Sequence, residues 1–185
     1  FQRVTGLDTL RFEQDLTLGY SAQLLAGITK RTTDSTEDTL PTLSILARSA
    51  NAIMPDIYLN AAINFSANID NDSLSQWSLS AASTLFNTQI ERQTLAARIK
   101  YDSAFDRDGL PIVQTLGEAR GLRGYPSREF NGEQKLLVNL EHRWHTPFTM
   151  ASFEFGTASF FDAGWTGDRG NSDWLSNART AAGAG

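Results

Sequence analysis

What most constrains this chain is a period-two alternation of apolar and polar residues, sustained over unusually long segments. Between Asp56 and Asp70, Ile57, Leu59, Ala61, Ile63, Phe65, Ala67 and Ile69 alternate with Tyr58, Asn60, Ala62, Asn64, Ser66 and Asn68. Successive side chains of a strand point to opposite faces, so this pattern gives one apolar face, whereas a helix would mix the two sets. Leu10 to Ile28 repeats the pattern, as do Trp77 to Leu85, Leu95 to Tyr101, Leu136 to Trp144 and Phe153 to Phe161. Leu40 to Ile53 is a weaker strand whose Leu-Ala-Arg-Ser-Ala core also fits a short helix. The count comes to about seven strands.

Length decides between classes. Strands of a soluble sandwich run about 5 to 6 residues. These run on the order of 11 to 19, enough at about 3.3 Å per residue to cross an apolar layer of roughly 25 Å while tilted. The opposite parity carries Asn, Ser, Arg, Lys, Asp and Glu, which suits a wet lumen. The expected fold is therefore all-β, an antiparallel transmembrane β-barrel. An ordinary antiparallel sheet with its charges on a solvent face is the alternative. Glycine (14), proline (5) and cysteine (0) fit no collagen-like or disulfide-framework chain, and 11 Phe with 4 Trp fit no disordered one. No apolar run approaches the roughly 18 to 20 residues of a membrane-spanning helix. The net charge of -5, without a basic cluster, argues against nucleic acid as a partner.

Met54-Pro55-Asp56, Asn71-Asp72, Glu91-Arg92 and Thr146-Pro147-Phe148 read as tight turns, whereas 29–39, 106–133 and the segment after Gly164 read as long connections. Apart from Asn71-Asp72, this is the short-turn, long-loop asymmetry of outer-membrane barrels, and it makes 106–133 an extracellular loop. Trp77, Tyr101, Trp144 and Trp165 lie near strand ends, where interfacial aromatics belong. Seven strands do not close a barrel of even strand number, and an open edge cannot face lipid. The whole of 1–185 thus reads as a partial barrel domain. Ala181 to Gly185 either begins an eighth strand or is a truncated end, and an eight-stranded barrel remains possible by length. The start at Phe1 reads as internal to a longer chain.

The long loop contains Gly121-Leu122-Arg123-Gly124-Tyr125-Pro126 and Phe130-Asn131-Gly132. It leads into a strand with Asn139-Leu140-Glu141-His142-Arg143, and the next strand ends Phe160-Phe161-Asp162-Ala163-Gly164. In order and spacing, Leu116 to Gly164 resembles the C-terminal barrel of the bacterial surface-antigen superfamily. That superfamily comprises BamA-like and TamA-like assembly factors and two-partner secretion transporters. The resemblance implies a complete barrel of about 16 strands in the bacterial outer membrane. It also implies upstream periplasmic modules, and lipid and an unfolded client or secreted protein as partners. The implied activity is assembly, insertion or translocation of other proteins, without catalysis or cofactor.

By the same resemblance the loop folds into the lumen, and Arg123 reaches Asp162 and Glu141 on the inner wall. Parity points the same way on its own, placing Glu141 with Lys135, Asn139 and Arg143, and Asp162 with Phe160 and Glu154, on the lumen face. A guanidinium forks across one carboxylate and still reaches a second group, which Lys cannot do. Gly121 and Gly124 allow tight turning around Arg123, and Tyr125 is a rigid amphipathic residue for the tip. Leu116-Gly117-Glu118-Ala119 stands where the superfamily commonly has a Gly-Gly pair.

Other chemistry is thin. His142 and His145 read as interface residues without metal-ligand spacing. Asp106-Arg107-Asp108-Gly109 lacks the later ligands of a calcium loop, and no nucleophile elbow or phosphate-binding glycine loop occurs. The competing functions are a passive solute pore, a barrel anchor for an upstream domain, and a soluble binding sheet.

Overall fold

The structure, a computed structural model, describes residues 2–5, 13–33, 36–70, 73–106, 112–150 and 153–185. Its centre is one eight-stranded antiparallel sheet. The strands are β3 (Gly19–Thr33), β4 (Thr36–Met54), β5 (Ile57–Asp70), β6 (Ser73–Asn87), β7 (Gln93–Asp106), β10 (Gln134–Met150), β11 (Phe153–Gly167) and β12 (Arg179–Ala184). Each pairs with the next in that order, so the sheet is a meander interrupted only between β7 and β10. The interruption holds a small hairpin of β8 (Gln114–Leu116) and β9 (Phe130–Gly132). A separate hairpin pairs β1 (Gln2–Thr5) with β2 (Glu13–Leu16). There is no α-helix among the described residues. The edge strands β3 and β12 do not pair with each other.

The alternation sets the two faces. Ile63, Ile99, Leu140 and Phe161 lie between 43% and 49% exposed on one side, together with Ile45, Leu85, Leu95 and Phe155. These residues form rows across the strands, as Leu24↔Ile45↔Phe65 and Leu85↔Ala97↔Leu140↔Phe161 show. The apolar face is not stacked on another layer of the described chain. The opposite face is concave, since Ser21, Arg48, Asn60, Thr84, Arg98 and Glu141, from six different strands, line one cavity of about 790 Å³. Side-chain hydrogen bonds cross this face, running Thr29–Thr42–Asn68–Gln76–Asp106 from β3 to β7. At the end of the concave face away from the β7–β10 loop, Leu16 and Ala96 pack on buried Tyr58 and Phe86.

Four expectations are corrected. The sheet has eight strands rather than seven, because Arg179–Ala184, covering the segment left open as the start of an eighth strand, pairs as a short strand along β11. The strand expected from Leu10 to Ile28 is divided. Glu13–Leu16 belongs to the β1–β2 hairpin, β3 starts only at Gly19, and Leu10 to Phe12 lie outside the described residues. The parity runs through Thr17 and Leu18 unbroken, so period alone carried no sign of a change of partner. The long connection at 29–39 is instead a continuous ladder down to Thr33↔Thr36. Its polar composition reads as loop, but β-branched Thr favours strand. Finally, Thr146-Pro147-Phe148 is not a turn, since β10 runs on to Met150 with a ladder irregularity between His145 and Thr149. Such an irregularity is where a strand tolerates a residue without an N–H.

The weak strand at Leu40 to Ile53 lies within β4, not a helix. Pro55 and Asp56 form the β4–β5 turn, with Asp56 at φ 62°, and the β6–β7 turn ends at Arg92 with φ 59°. Asn71 and Asp72 lie outside the described residues, between the paired Asp70 and Ser73. Trp77, Tyr101 and Trp165 fall at the loop-bearing end of the apolar face and Trp144 at the other.

Candidate functional site

The site is built where the β7–β10 loop folds back over the concave face of β10 and β11. Leu116, Leu122 and Leu137 are at most 1% exposed and pack together, with Tyr125 and Phe130 against them. Leu137 is the only apolar residue among Lys135, Asn139, Glu141 and Arg143 on that face of β10, and it receives the loop. Between Leu116 and Leu122 the chain makes a 3-10 turn, Glu118–Arg120, closed by Gly121 at φ 99°. The φ of 99° favours glycine there, and a Cβ on Gly121 would stand 2.7 Å from Leu137 Cδ2, pushing that side chain aside. The preceding Gly117 is likewise closed to a side chain, by the backbone of Pro126 and Arg128. A single glycine therefore serves the approach to the turn.

That fold delivers Arg123 to two carboxylates. Its Nε donates to Asp162 Oδ2 at 2.8 Å, one terminal nitrogen to Asp162 Oδ1 at 2.8 Å, and the other to Glu141 Oε2 at 2.7 Å. The backbone N–H of Arg123 also donates to Asp162 Oδ2 at 3.1 Å, and Asn139 Nδ2 to Oδ1 at 2.7 Å. Asp162, 0% exposed, thus accepts four hydrogen bonds, which uses the acceptor sites of its carboxylate. A buried charge is tolerable only when so satisfied. Glu141 receives a second guanidinium, from Arg143 Nε at 2.6 Å. The ring of Phe160 lies under the Arg123 guanidinium, 3.7 Å from centroid to Cζ. The hydrogen bonds to Asp162 outweigh the opposing effect of burial and, with the one to Glu141, hold the pKa of Arg123 above its already high ordinary value. The cation is therefore permanent.

Of the residues singled out in the sequence, the structure brings Arg123, Glu141, Phe160 and Asp162 into direct contact. Gly124 sits at the tip with φ 80°. Tyr125 packs edge-on against Phe130 and donates its hydroxyl to Thr180 O at 3.0 Å, so the tip reaches β12. Gly164 corrects an expectation, for it does not end a strand. It lies inside the β11 ladder opposite Leu137 and Arg179, and its bare Cα admits the Leu116 side chain. Asp162 is likewise internal to β11.

Sequence reading placed Asn139 on the inward face without a role, and there it bridges Asp162 and Gly121 O. It missed Leu137, whose signal was an apolar residue on the polar parity. A second cluster went unread at the root of the loop. Buried Lys135 meets Asp102 at 3.0 Å and donates to Thr115 O, while Ser80 and Lys100 hold the same Asp102. His142 bonds to Gln93 at 2.8 Å, and among the described residues no group of three metal-ligating side chains forms. Residues 107–111 lie outside the described part. No family model matches the chain, and no curated protein does.

Proposed function

We propose that this chain is part of a bacterial outer-membrane β-barrel of the surface-antigen superfamily, and that the barrel inserts, assembles or exports other proteins. One arrangement carries the reading. A re-entrant loop is held by Arg123 to Asp162 and Glu141 on the concave face of a sheet whose other face is an exposed apolar band. Exposed apolar area on that scale is unusual for a soluble protein and ordinary for a surface in lipid. From the level of Leu136 to Trp144, eight residues on, β10 covers about 26 Å of strand, which at a barrel tilt near 40° spans about 20 Å between two aromatic levels, most of an apolar band of roughly 25 Å. The loop then plugs the lumen. In this reading the chain carries no catalysis, its partners are lipid and a polypeptide client, and a larger barrel supplies the strands that β3 and β12 lack.

The test is Arg123→Ala in the full-length protein, with solute conductance and delivery of a client protein measured together. A lost or reduced delivery, with the barrel still folded, is expected. A passive pore is the second reading, favoured by Arg48 and Arg98, which line the cavity without a hydrogen bond or ion pair among the described residues. Altered solute flux with unchanged delivery would select it over protein transport.

A further inference from the structure

The β11–β12 connection, 168–178, does not follow the re-entrant loop onto the concave face. It leans across the apolar face at the loop-bearing end. Trp174 packs on Tyr101 with ring centroids 6.5 Å apart, and the Arg169 guanidinium lies over both Trp77 and Phe105, at 4.6 and 4.4 Å. Trp77 and Phe105 are partners in the β6–β7 ladder, so they present one aromatic surface. The root of Arg169 is fixed as well, its backbone N–H donating to the Glu133 carboxylate at 2.9 Å. Its guanidinium makes no hydrogen bond or ion pair among the described residues.

We propose that Arg169 is a clamp for the phosphate of an anionic lipid headgroup. The inference rests on the membrane reading above. Stacking on this surface occupies one face of the guanidinium and restricts its plane, leaving the N–H groups along its edge without acceptors among the described residues. That edge is a fork matched to two phosphate oxygens. Its position is the margin of the apolar band, at the level set by Trp77, Tyr101 and Trp165, where headgroups meet the strands of a barrel. Glu133 forms no ion pair with the guanidinium among the described residues, its carboxylate accepting from the backbone N–H of Arg169 instead.

The experiment places the full-length protein in neutral phosphatidylcholine vesicles doped with phosphatidate, extracts it in mild detergent, and counts retained lipids by native mass spectrometry. The wild type is expected to retain phosphatidate selectively, and Arg169→Gln to lower that retention roughly tenfold, the scale of a charge-assisted fork. Arg169→Lys falls between them. Trp77→Leu combined with Phe105→Leu lowers retention with the charge still present. Equal retention by Arg169→Gln overturns the proposal, as does displacement of the lipid by inorganic phosphate, which would mark a site for soluble anions. A wild-type protein that fails to enter neutral vesicles overturns the membrane reading itself. Entry without any lipid preference overturns the clamp alone.

Discussion

Arg123 shows why side-chain shape matters as much as charge. Its three side-chain hydrogen bonds use the fixed fork of a guanidinium, and the ring of Phe160 takes one face. Arg123→Lys keeps the charge but loses the geometry. The expected cost is about 2 kcal/mol, read as faster proteolysis within 117–129 than in the wild type. Asp162→Asn, which leaves the guanidinium facing an amide, is expected to open the loop further, because a buried ion pair stripped of one member costs about 3 to 5 kcal/mol. Gly121→Ala tests the backbone instead of the charge. At φ 99° and against Leu137, a methyl group is expected to cost about 1 to 3 kcal/mol and to raise cleavage of the loop without touching either carboxylate. Because the Arg123 pKa lies above its ordinary value, no accessible alkaline pH discharges the clamp from the cationic side.

At the scale of elements, alternation is the design rule, and it makes a paired prediction. Ile63 points to the apolar side and its neighbour Asn64 to the concave one. Ile63→Lys is expected to destabilise the protein folded in lipid vesicles by about 2 to 4 kcal/mol, and Asn64→Lys by much less, measured by denaturant titration. The same rule explains what was legible beforehand. Faces, most strands and the inward placement of Glu141 and Asp162 followed from parity, and the Arg123 pairing was what the resemblance of Leu116 to Gly164 to the surface-antigen superfamily implied. What parity could not register were events that preserve it. The change of partner before Gly19 keeps the alternation, the Thr-rich ladder to Thr33 reads as loop because its residues are polar, and the irregularity near Pro147 imitates a turn. The loop's hydrophobic pedestal was partly legible. Leu137 breaks the polar parity of β10, but only the folded loop shows that Leu116 and Leu122 converge on it.

For the molecule as a whole, the two faces make opposite demands on solvent. The apolar face predicts that the full-length protein stays soluble only with detergent or lipid, and monodisperse behaviour in plain buffer would mean that some other surface covers it. The concave face is hydrophilic and already partly filled by the loop. The tip of that loop is not confined to the two strands that hold Arg123, because Tyr125 is tied to the main chain at Thr180 in β12, the short outermost strand. The loop tip and a strand that does not hold Arg123 are therefore tied at one point. Were β12 to shift against β11, the tyrosine would be dragged along or let go, and movement of that strand and loosening of the loop would become a single mechanical event.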